Sequence, residues 1–341
     1  MSNDDVGQNC GKKGRFSERS WEELDWDCLT NVLSKVGMES LLLAVPFVCK
    51  SWYKTSLNPL CWQNLSFPDF LPYPLFIDIA EEDDGPLSFG PFYDKFVNEY
   101  GIDRSRFSIT AFVKSVVDRS NGKAIYLTLP EFCTEEALRY VSDECPLLKF
   151  LWLTDDLVVF KHSQIMPEVI GKWKLLECLI LGSGLVNIVE QIGGTHNARG
   201  LSKHFEVLLT SQTPLCYNVL DRILEQTGTH CKYLSYLMIY DDSLGEVEAS
   251  TIVNLLPNLK KLLVRNCRIE RGSVVTLLRG CKELVLFDAK NCEGFEESDE
   301  EISKLAFRIH TYSCNSCVSR ELGVLRLFSK VRKVIFMMLD L

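Results

Sequence analysis

The sequence predicts an α/β chain in which a small unit of three helices precedes a solenoid of strand–helix repeats. Three observations lead to this prediction. An apolar pattern of helical spacing follows a polar N-terminal stretch, a Leu-x-x-Leu-x-Leu pattern recurs from residue 124 onward, and apolar helical stripes separate its copies. One such repeat cannot cover its own apolar face, so neighbouring repeats stack into a curved parallel sheet with helices outside.

Composition and charge limit the possible functions. The 341 residues are 46% apolar and 24% charged, as expected of a globular protein, and the formal net charge is −9. A negative field repels a phosphate backbone, so we expect no nucleic-acid partner. No stretch approaches the roughly 20 apolar residues of a membrane span. Residues 1–19 are polar and lack the apolar core of a secretory signal, and we expect them to form a disordered tail. We therefore expect a nuclear or cytoplasmic location and reduced cysteines.

The helical unit is predicted to span residues 20–66. Its first helix carries an apolar stripe at the spacing of one helix face, formed by Leu29, Val32, Leu33 and Val36. Asp25 or Asp27 caps the start of this helix, and Gly37 ends it. Pro46 then divides the following apolar stretch into two shorter helices.

This unit resembles the plant-type F-box. The resemblance combines apolar, charged, proline and tryptophan positions: Leu24, Asp27, Leu29, Leu33, Val48, Cys49, Lys50, Trp52, Pro59 and Trp62. The family motif usually has proline after its first leucine, where this chain has Asp25. The resemblance implies docking onto the Skp-type adaptor of a Skp–cullin–F-box ubiquitin ligase. The implied adaptor-binding residues are Leu24, Leu29, Val32, Leu33, Val48, Cys49, Trp52 and Trp62.

The size of the unit fits a docking role, because so small a domain usually needs a partner or a staple to shelter its apolar side chains. The alternative is that Leu29, Val32 and Leu33 form the core of a helical cap on the next domain.

The repeat is defined by its anchor, the first apolar position of each copy. The anchors are Ala124, Leu148, Leu176, Phe205, Leu234, Leu259 and Leu284, with gaps of 24 to 29 residues. These gaps lie within the roughly 20–29 residues of leucine-rich repeats. Three cysteines stand three residues before an anchor and two stand eight residues after one, namely Cys145, Cys231, Cys281, Cys267 and Cys292. This resembles the cysteine-containing class of leucine-rich repeats that is common behind plant F-boxes.

The flanking segments are assigned by composition. Residues 67–119 are predicted as a proline-rich connector that ends in helices capping the solenoid, and residues 120–317 as the repeats with a C-terminal cap. Residues 318–341 form a basic amphipathic segment. This segment is interpreted as a last helix, as a membrane-surface or partner helix, or as a tail without a role.

Catalytic and metal-binding patterns are missing from the sequence. There is no Gly-rich phosphate loop, HExxH or Gly-x-Ser-x-Gly motif. Cys314 and Cys317 form one pair without the second pair of a zinc site. The acids Asp155-Asp156 and Asp241-Asp242 follow strands and are interpreted as solvated loop residues. We therefore predict no catalytic residue, no metal and no cofactor.

The concave face of the sheet is the predicted substrate site. The position between the last two apolar residues of each copy faces this side, and it is apolar in five successive copies: Trp152, Ile180, Leu209, Met238 and Leu263. We term these residues the apolar ribbon. An exposed apolar strip usually marks a binding surface, and this one is flanked by Tyr236, Tyr240, Lys261 and Arg265. The alternative is that the connector or residues 318–341 cover it.

These patterns predict a non-catalytic substrate receptor. The F-box resemblance implies binding to the Skp-type adaptor and through it to a cullin, and the repeats bind an unidentified protein targeted for ubiquitination and degradation. The alternative is a leucine-rich-repeat scaffold without a ligase role, whose N-terminal helices only cap the solenoid. An enzyme is the third and least supported interpretation.

Overall fold

The computed structural model describes residues 24–68, 90–130, 133–153, 165–182, 219–240, 243–296 and 298–314. The segments predicted as terminal tails, residues 1–19 and 318–341, lie outside the described residues. Within the described residues, one parallel sheet runs the length of the molecule and helices cover one of its faces. The predicted α/β class, with a helical unit followed by a repeat solenoid, is confirmed.

The strands of the main sheet follow one another in chain order. They are β1 (Asn64–Ser66), β2 (Tyr126–Thr128), β3 (Phe150–Leu153), β4 (Cys178–Leu181), β5 (Tyr236–Tyr240), β7 (Lys261–Arg265), β9 (Leu286–Asp288) and β10 (Thr311–Ser313). Two further short strands, β6 (Ser243–Leu244) and β8 (Arg268–Ile269), pair with each other outside this sheet.

The helices divide into an N-terminal group and an outer layer. The first group is α1 (Trp26–Leu33), α2 (Met38–Leu43) and α3 (Lys50–Ser56). The others are α4 (Pro91–Glu99), α5 (Ile109–Ser120), α6 (Glu135–Glu144), α7 (Ile165–Val169), α8 (Val219–His230), α9 (Glu246–Leu255), α10 (Arg271–Gly280) and α11 (Glu300–Ala306). None of the helices described is both long and apolar enough to cross a lipid bilayer.

The three N-terminal helices form where the sequence predicts them. Asp25 begins α1, where its carboxylate accepts a hydrogen bond from the Asp27 amide at 3.3 Å. Gly37 lies between α1 and α2. Pro46 lies in a short 3₁₀ turn at Val45–Phe47, between α2 and α3, because a proline ring cannot continue an α-helix.

The N-terminal unit is continuous with the sheet. β1 pairs in parallel with β2, which puts Leu65 beside Leu127. Just before β1, Trp62 is fully buried and its indole nitrogen donates to the Ser56 carbonyl at 2.6 Å. The Arg119 guanidinium of α5 lies 5.0 Å from the centre of the same indole. The last element of the helical unit is therefore also the first strand of the solenoid.

The predicted connector, residues 67–119, contains the two helices that the sequence indicates. α4 and α5 pack together through an aromatic cluster formed by Phe92, Tyr93, Phe96, Phe107 and Phe112. The Ser108 side chain caps α5 by accepting from the Ala111 amide at 3.3 Å. Because α5 packs against α6 and directly precedes β2, it is the first helix of the outer layer. Residues 69–89 lie outside the described part.

One hydrogen-bond pattern recurs along the sheet. At five anchors, the carbonyl of the next residue accepts from two successive amides of the following strand. The Ile125 carbonyl accepts from the amides of residues 149 and 150 at 2.9 and 3.0 Å, and the Lys260 carbonyl from those of residues 285 and 286 at 2.8 and 3.1 Å. The anchors with this pattern are all 1% exposed or less: Ala124, Leu148, Leu176, Leu234 and Leu259. The sixth anchor, Leu284, is 2% exposed, and the Val285 carbonyl after it accepts from the Thr311 amide at 3.1 Å. The predicted register is confirmed at these six positions.

The predicted repeat at Phe205 does not lie in the sheet between its neighbours. β4 and β5 pair directly, with Ile180 beside Met238, which leaves no place for an intervening strand. Residues 183–218, which include Phe205 and the ribbon residue Leu209, lie outside the described part of the chain.

The cysteines of the repeats are buried structural residues. The Cys267 thiol donates to the Ile239 carbonyl at 3.6 Å, and the Cys292 thiol donates to the Val264 carbonyl at 3.1 Å. Each thiol thus reaches back to the strand before its own, which ties successive repeats together. The three cysteines that precede anchors are also buried and unbridged: Cys145, Cys231 and Cys281.

The close packing of α8 against α9 yields a first prediction. A Cβ atom on Gly228 would lie 2.4 Å from the Leu255 Cβ and 3.0 Å from the Leu255 carbonyl oxygen. Gly228→Ala should therefore lower the free energy of unfolding by roughly 1–3 kcal/mol through overpacking, although alanine is the better helix former by about 1 kcal/mol. Urea-induced unfolding measures the change.

The matched control is Gly272→Ala in α10. Its added Cβ would meet only the Glu246 carboxylate, at 3.5 Å, so stability should stay the same or rise. Equal destabilisation by the two substitutions would contradict the packing argument.

Candidate interaction surfaces

Exposed apolar side chains concentrate in the N-terminal unit. Among the described residues, seven large apolar side chains between positions 26 and 60 remain exposed: Trp26, Val32, Phe47, Val48, Tyr53, Leu57 and Leu60. We term these the N-terminal apolar surface. They come from α1, α3 and the turns beside α3, which contact one another. Exposed apolar residues gathered in one small region usually mark a site of protein contact.

Two of the predicted adaptor-binding residues belong to this surface. Val32 is 41% exposed and Val48 is 52% exposed. Cys49, directly before α3, is half-buried. Leu24 and Trp52 are also partly buried and pack against the core.

The other three predicted contact residues lie inside the protein. Leu29, Leu33 and Trp62 are each 1% exposed or less. The helical unit uses them as part of its own core, in the same cluster as Leu41 and Leu42 of α2. In this conformation they cannot contact an adaptor directly, and they instead hold the N-terminal apolar surface in place.

Sequence reasoning missed most of the N-terminal apolar surface, although α3 carries a signal for it. Thr55 and Ser56 of α3 are fully buried, and their hydroxyls donate to the carbonyls of Ser51 and Tyr53 at 3.0 and 2.8 Å. Tyr53 and Leu57, four residues apart, face outward. Small polar residues on the inner side of a helix and large apolar ones on the outer side indicate that the outer side has a partner.

The apolar ribbon lies on the sheet face opposite the helices. Strand pairing aligns Trp152, Ile180, Met238 and Leu263 in one row across β3, β4, β5 and β7. Asp288 of β9 is next in the row and ends the ribbon. At about 4.8 Å between strands, the four apolar residues span roughly 14 Å. The ribbon is thus shorter than predicted, because Leu209 is not part of this row.

The ribbon is less exposed than the sequence predicts. Ile180, Met238 and Leu263 are only 5%, 6% and 7% exposed. With Cys178 and Tyr240 they form a cluster separate from the main core, and partly buried side chains pack at its margins, namely Phe150, Trp152, Tyr236 and Leu286. The expectation of an open apolar strip is therefore wrong for these three residues, whereas Trp152 is partly accessible.

A polar network borders the ribbon on its C-terminal side. The Arg265 guanidinium donates through both Nε and Nη2 to Oδ2 of Asp288, whose side chain is 9% exposed. Nearby, the Asn266 amide donates to the Tyr240 hydroxyl at 2.8 Å and accepts from the Asn291 amide at 3.2 Å. These contacts fix the side chains at the carboxyl ends of β5, β7 and β9.

The ribbon has an unsatisfied polar atom at each end. The buried Trp152 Nε1 has no hydrogen-bond acceptor, and the buried Asp288 Oδ1 has no donor, among the described residues. Four strand spacings separate them, about 19 Å. Buried polar atoms without a partner cost free energy, so each that persists calls for an explanation.

Four buried cysteines of the repeats and the segment before them lack the features of a reactive thiol. Burial raises the pKa of Cys133, Cys145, Cys178 and Cys231 to about 12, so these thiols stay protonated at neutral pH. The pKa of Cys292 is lowered, chiefly by a hydrogen bond with the Cys267 side chain, but Cys292 is 7% exposed.

Among the described residues, no three His, Cys, Asp or Glu side chains lie close enough together to bind a metal ion. Cys314 is buried. The other residues considered from the sequence, namely Cys317, Asp155, Asp156, Asp241 and Asp242, lie outside the described residues.

Comparisons with known proteins agree with this arrangement. The family model of the F-box domain matches residues 21–64. The chain is 25% identical over 282 residues to the putative F-box/LRR-repeat protein 19 of Arabidopsis thaliana, with 82% of this chain and 81% of that protein covered. It is 22% identical to the F-box protein SKIP1 of the same plant, covering 82% of this chain and 81% of that protein. A leucine-rich repeat-containing protein, LegL7 from Legionella pneumophila, is 12% identical over 61% of each chain with a TM-score of 0.34. The resemblance to plant F-box/leucine-rich-repeat proteins is confirmed.

The Arg265–Asp288 pair yields a second prediction. Arg265→Met would leave the Asp288 carboxylate buried without its cation, which costs roughly 3–5 kcal/mol for a buried pair. The free energy of unfolding should fall accordingly in chemical denaturation. The double substitution Arg265→Met/Asp288→Leu should recover most of this loss, because no unpaired charge remains.

Arg271→Met is the matched control. Arg271 pairs with Asp299 and Glu301 on the solvent-exposed side of α10 and α11, and exposed ion pairs contribute little to stability. A loss at Arg271 as large as that at Arg265 would contradict the role of burial.

Proposed function

We propose that this F-box/leucine-rich-repeat chain is the substrate-recognition subunit of a Skp–cullin–F-box ubiquitin ligase. The observation that carries the proposal is the N-terminal apolar surface, which lies within the residues matched by the F-box family. The chain binds the adaptor through this surface and the cullin only through the adaptor. The chemistry of ubiquitin transfer belongs to other subunits, and the chain acts in the nucleus, the cytoplasm or both.

The adaptor contact is formed by exposed side chains of α1, α3 and the turns beside α3. Val32 and Val48 are its central contacts, and the half-buried Cys49 lies at its margin. Burying a valine side chain contributes about 1.5–3 kcal/mol, so a few such residues are enough for a stable complex. Leu29, Leu33 and Trp62 contribute indirectly, because their packing in the core sets the positions of these helices.

The repeats bind the protein that is to be ubiquitinated, on the concave face. The ribbon supplies an apolar floor, and Trp152 and the flanking Phe150 and Tyr236 are its accessible aromatic side chains. A polypeptide lying across the strands would offer a carbonyl to Trp152 Nε1 at one end and a donor to Asp288 Oδ1 at the other. The two unsatisfied atoms support this assignment, because a bound chain would remove both penalties.

The adaptor contact is tested by Val48→Asp. A charge in an apolar interface forfeits the burial energy of valine and adds a desolvation penalty, so the Kd for a purified Skp-type adaptor should rise at least about tenfold. Val32→Asp should act in the same direction. Isothermal titration calorimetry measures both.

Val247→Asp is the matched control, since Val247 is 62% exposed on α9, outside the F-box. This variant should bind the adaptor like the unaltered chain. If the adaptor does not bind the unaltered chain, or binds Val48→Asp with unchanged affinity, the ligase assignment fails and the scaffold interpretation takes its place.

The substrate contact is tested by Trp152→Ala in affinity purification from plant cells. Proteins that the concave face holds should be lost from the recovered material, while the adaptor is recovered in full. Phe307→Ala is the control, because Phe307 is 92% exposed at the end of α11, away from the ribbon. Recovery of the same proteins with Trp152→Ala as with the control would exclude the ribbon as the substrate site.

A further inference from the structure

The turns that lead into the strands of the repeats carry a regular pattern of charge. Each turn runs from two residues before the anchor to one residue after it. In the six confirmed repeats every turn contains one lysine, namely Lys123, Lys149, Lys174, Lys232, Lys260 and Lys282. Because the strands are parallel, these turns all lie on the side of the solenoid where the strands begin. We term the six residues the lysine rim.

Hydrogen bonds between successive repeats place these turns side by side. The Lys149 carbonyl accepts from the amides of residues 177 and 178, and the Lys260 carbonyl from those of residues 285 and 286. The Asn258 side chain donates to the Lys232 carbonyl at 3.2 Å. At about 4.8 Å between strands, the lysine rim spans five strand spacings, roughly 24 Å. Lysines of successive repeats are therefore neighbours in one row.

The lysine rim is positive although the chain has a net charge of −9. Glu177 and Glu283 are the only acids in the six turns, so six lysines and two glutamates leave an excess of four positive charges. Five of the six lysines are exposed, and Lys149 is half-buried. Acids lie on the other side of the solenoid, where the helices α6, α9 and α11 begin with glutamates in their first turns.

The ends of two outer helices account for two of these lysines. The Lys232 ammonium group donates to the Gly228 carbonyl at 2.8 Å, in the last turn of α8. The Lys282 ammonium group donates to the Arg279 carbonyl at 2.5 Å, at the end of α10. A cation complements the partial negative charge of a helix C-terminus, so both lysines have a structural role.

The other lysines differ in this respect. Lys149 forms an ion pair with Glu177 at 2.8 Å. The side chains of Lys123, Lys174 and Lys260 form no hydrogen bond or ion pair with any of the residues described. Like charges on neighbouring repeats repel one another, so a row of unpaired lysines does not stabilise the solenoid.

Exposed apolar side chains stand between the lysines. Leu147, Tyr233 and Val285 belong to the same turns and are 44%, 63% and 46% exposed. A phosphate backbone would use only the charges, and the net charge of the chain repels such a polyanion. A protein segment that carries both carboxylates and apolar side chains complements the lysines and also buries the apolar residues.

We propose that the lysine rim is a docking surface for an acidic protein segment with apolar side chains between its carboxylates. Lys174 and Lys260 contact carboxylates, and Tyr233, in the repeat between them, packs against an apolar side chain of the segment. The surface is distinct from the N-terminal apolar surface and from the apolar ribbon on the concave face. The proposal is independent of the ubiquitin-ligase assignment, because a repeat scaffold with this rim would bind the same segment.

The probe is a fluorescent synthetic peptide of six Glu-Glu-Leu units, which spans about 27 Å even as a helix and so covers the rim. Lys174→Glu/Lys260→Glu in the full chain should raise the Kd for this peptide at least about tenfold, because two attractions become repulsions. Lys174→Gln/Lys260→Gln should raise it in the same direction by less. Fluorescence anisotropy measures the Kd, which should also rise with salt concentration.

Arg268→Glu/Lys95→Glu is the matched control, because it changes the net charge by the same amount. Arg268 is exposed on β8, where the strands end, and Lys95 is exposed on α4. This variant should bind the peptide like the unaltered chain. The midpoint of thermal unfolding should be the same for all these variants, which separates a loss of binding from a loss of folding.

The apolar part of the contact is tested by Tyr233→Ser. This substitution should weaken binding of the Glu-Glu-Leu peptide and leave binding of a Glu-Glu-Ser peptide of equal length unchanged.

The proposal is overturned if the unaltered chain does not bind the Glu-Glu-Leu peptide, or if the control variant loses as much affinity as Lys174→Glu/Lys260→Glu. It is also overturned if an oligothymidine with the same number of negative charges binds more tightly than the peptide, since the rim would then be a nucleic-acid site.

Discussion

Stacking of each strand on the strand before it is the constraint on which the rest of the structure depends. At five anchors the carbonyl of the next residue receives two amides of the following strand, as at Ile125 and Lys260. This step fixes the rotation between repeats and brings the outer helices so close together that Gly228 and Gly280 have no space for a side chain. The thiols of the repeat cysteines add a second connection in the same direction. No single repeat is a stable unit under this constraint, because each one completes the core of its neighbour.

The sequence predicted the solenoid well because its period is local. Six anchors and the helices between them follow from spacing alone. The spacing also predicted an anchor at Phe205, whereas β4 and β5 pair directly with no strand between them. Periodicity over six residues could not reveal this, since it does not show which strands pair with each other. The direct pairing of β4 with β5 joins residues that are far apart in the sequence, so local periodicity does not predict it.

Burial in the helical unit was harder to predict than its helices. Val32 and Leu33 are neighbours of similar character on α1, yet one is 41% exposed and the other fully buried. Which of them faces inward depends on where Trp62 inserts and on the turn at Pro46, neither of which is encoded within α1. The same limit applied to the ribbon. Its row across the sheet was predictable from alternation along each strand, whereas its low exposure depends on side chains that are distant in the sequence.

The sharing of β1 between the helical unit and the sheet has a mechanical consequence. Only one residue, Gln63, separates the buried Trp62 from β1, and this strand is bonded to β2. The connection therefore contains no flexible linker between the N-terminal apolar surface and the concave face of the sheet. Under the proposed function, a captured protein would sit at a set angle and distance from the charged ubiquitin carrier. The fixed geometry of the receptor, and not the motion of a flexible linker, would then decide which lysines of the captured protein can reach the ubiquitin carrier.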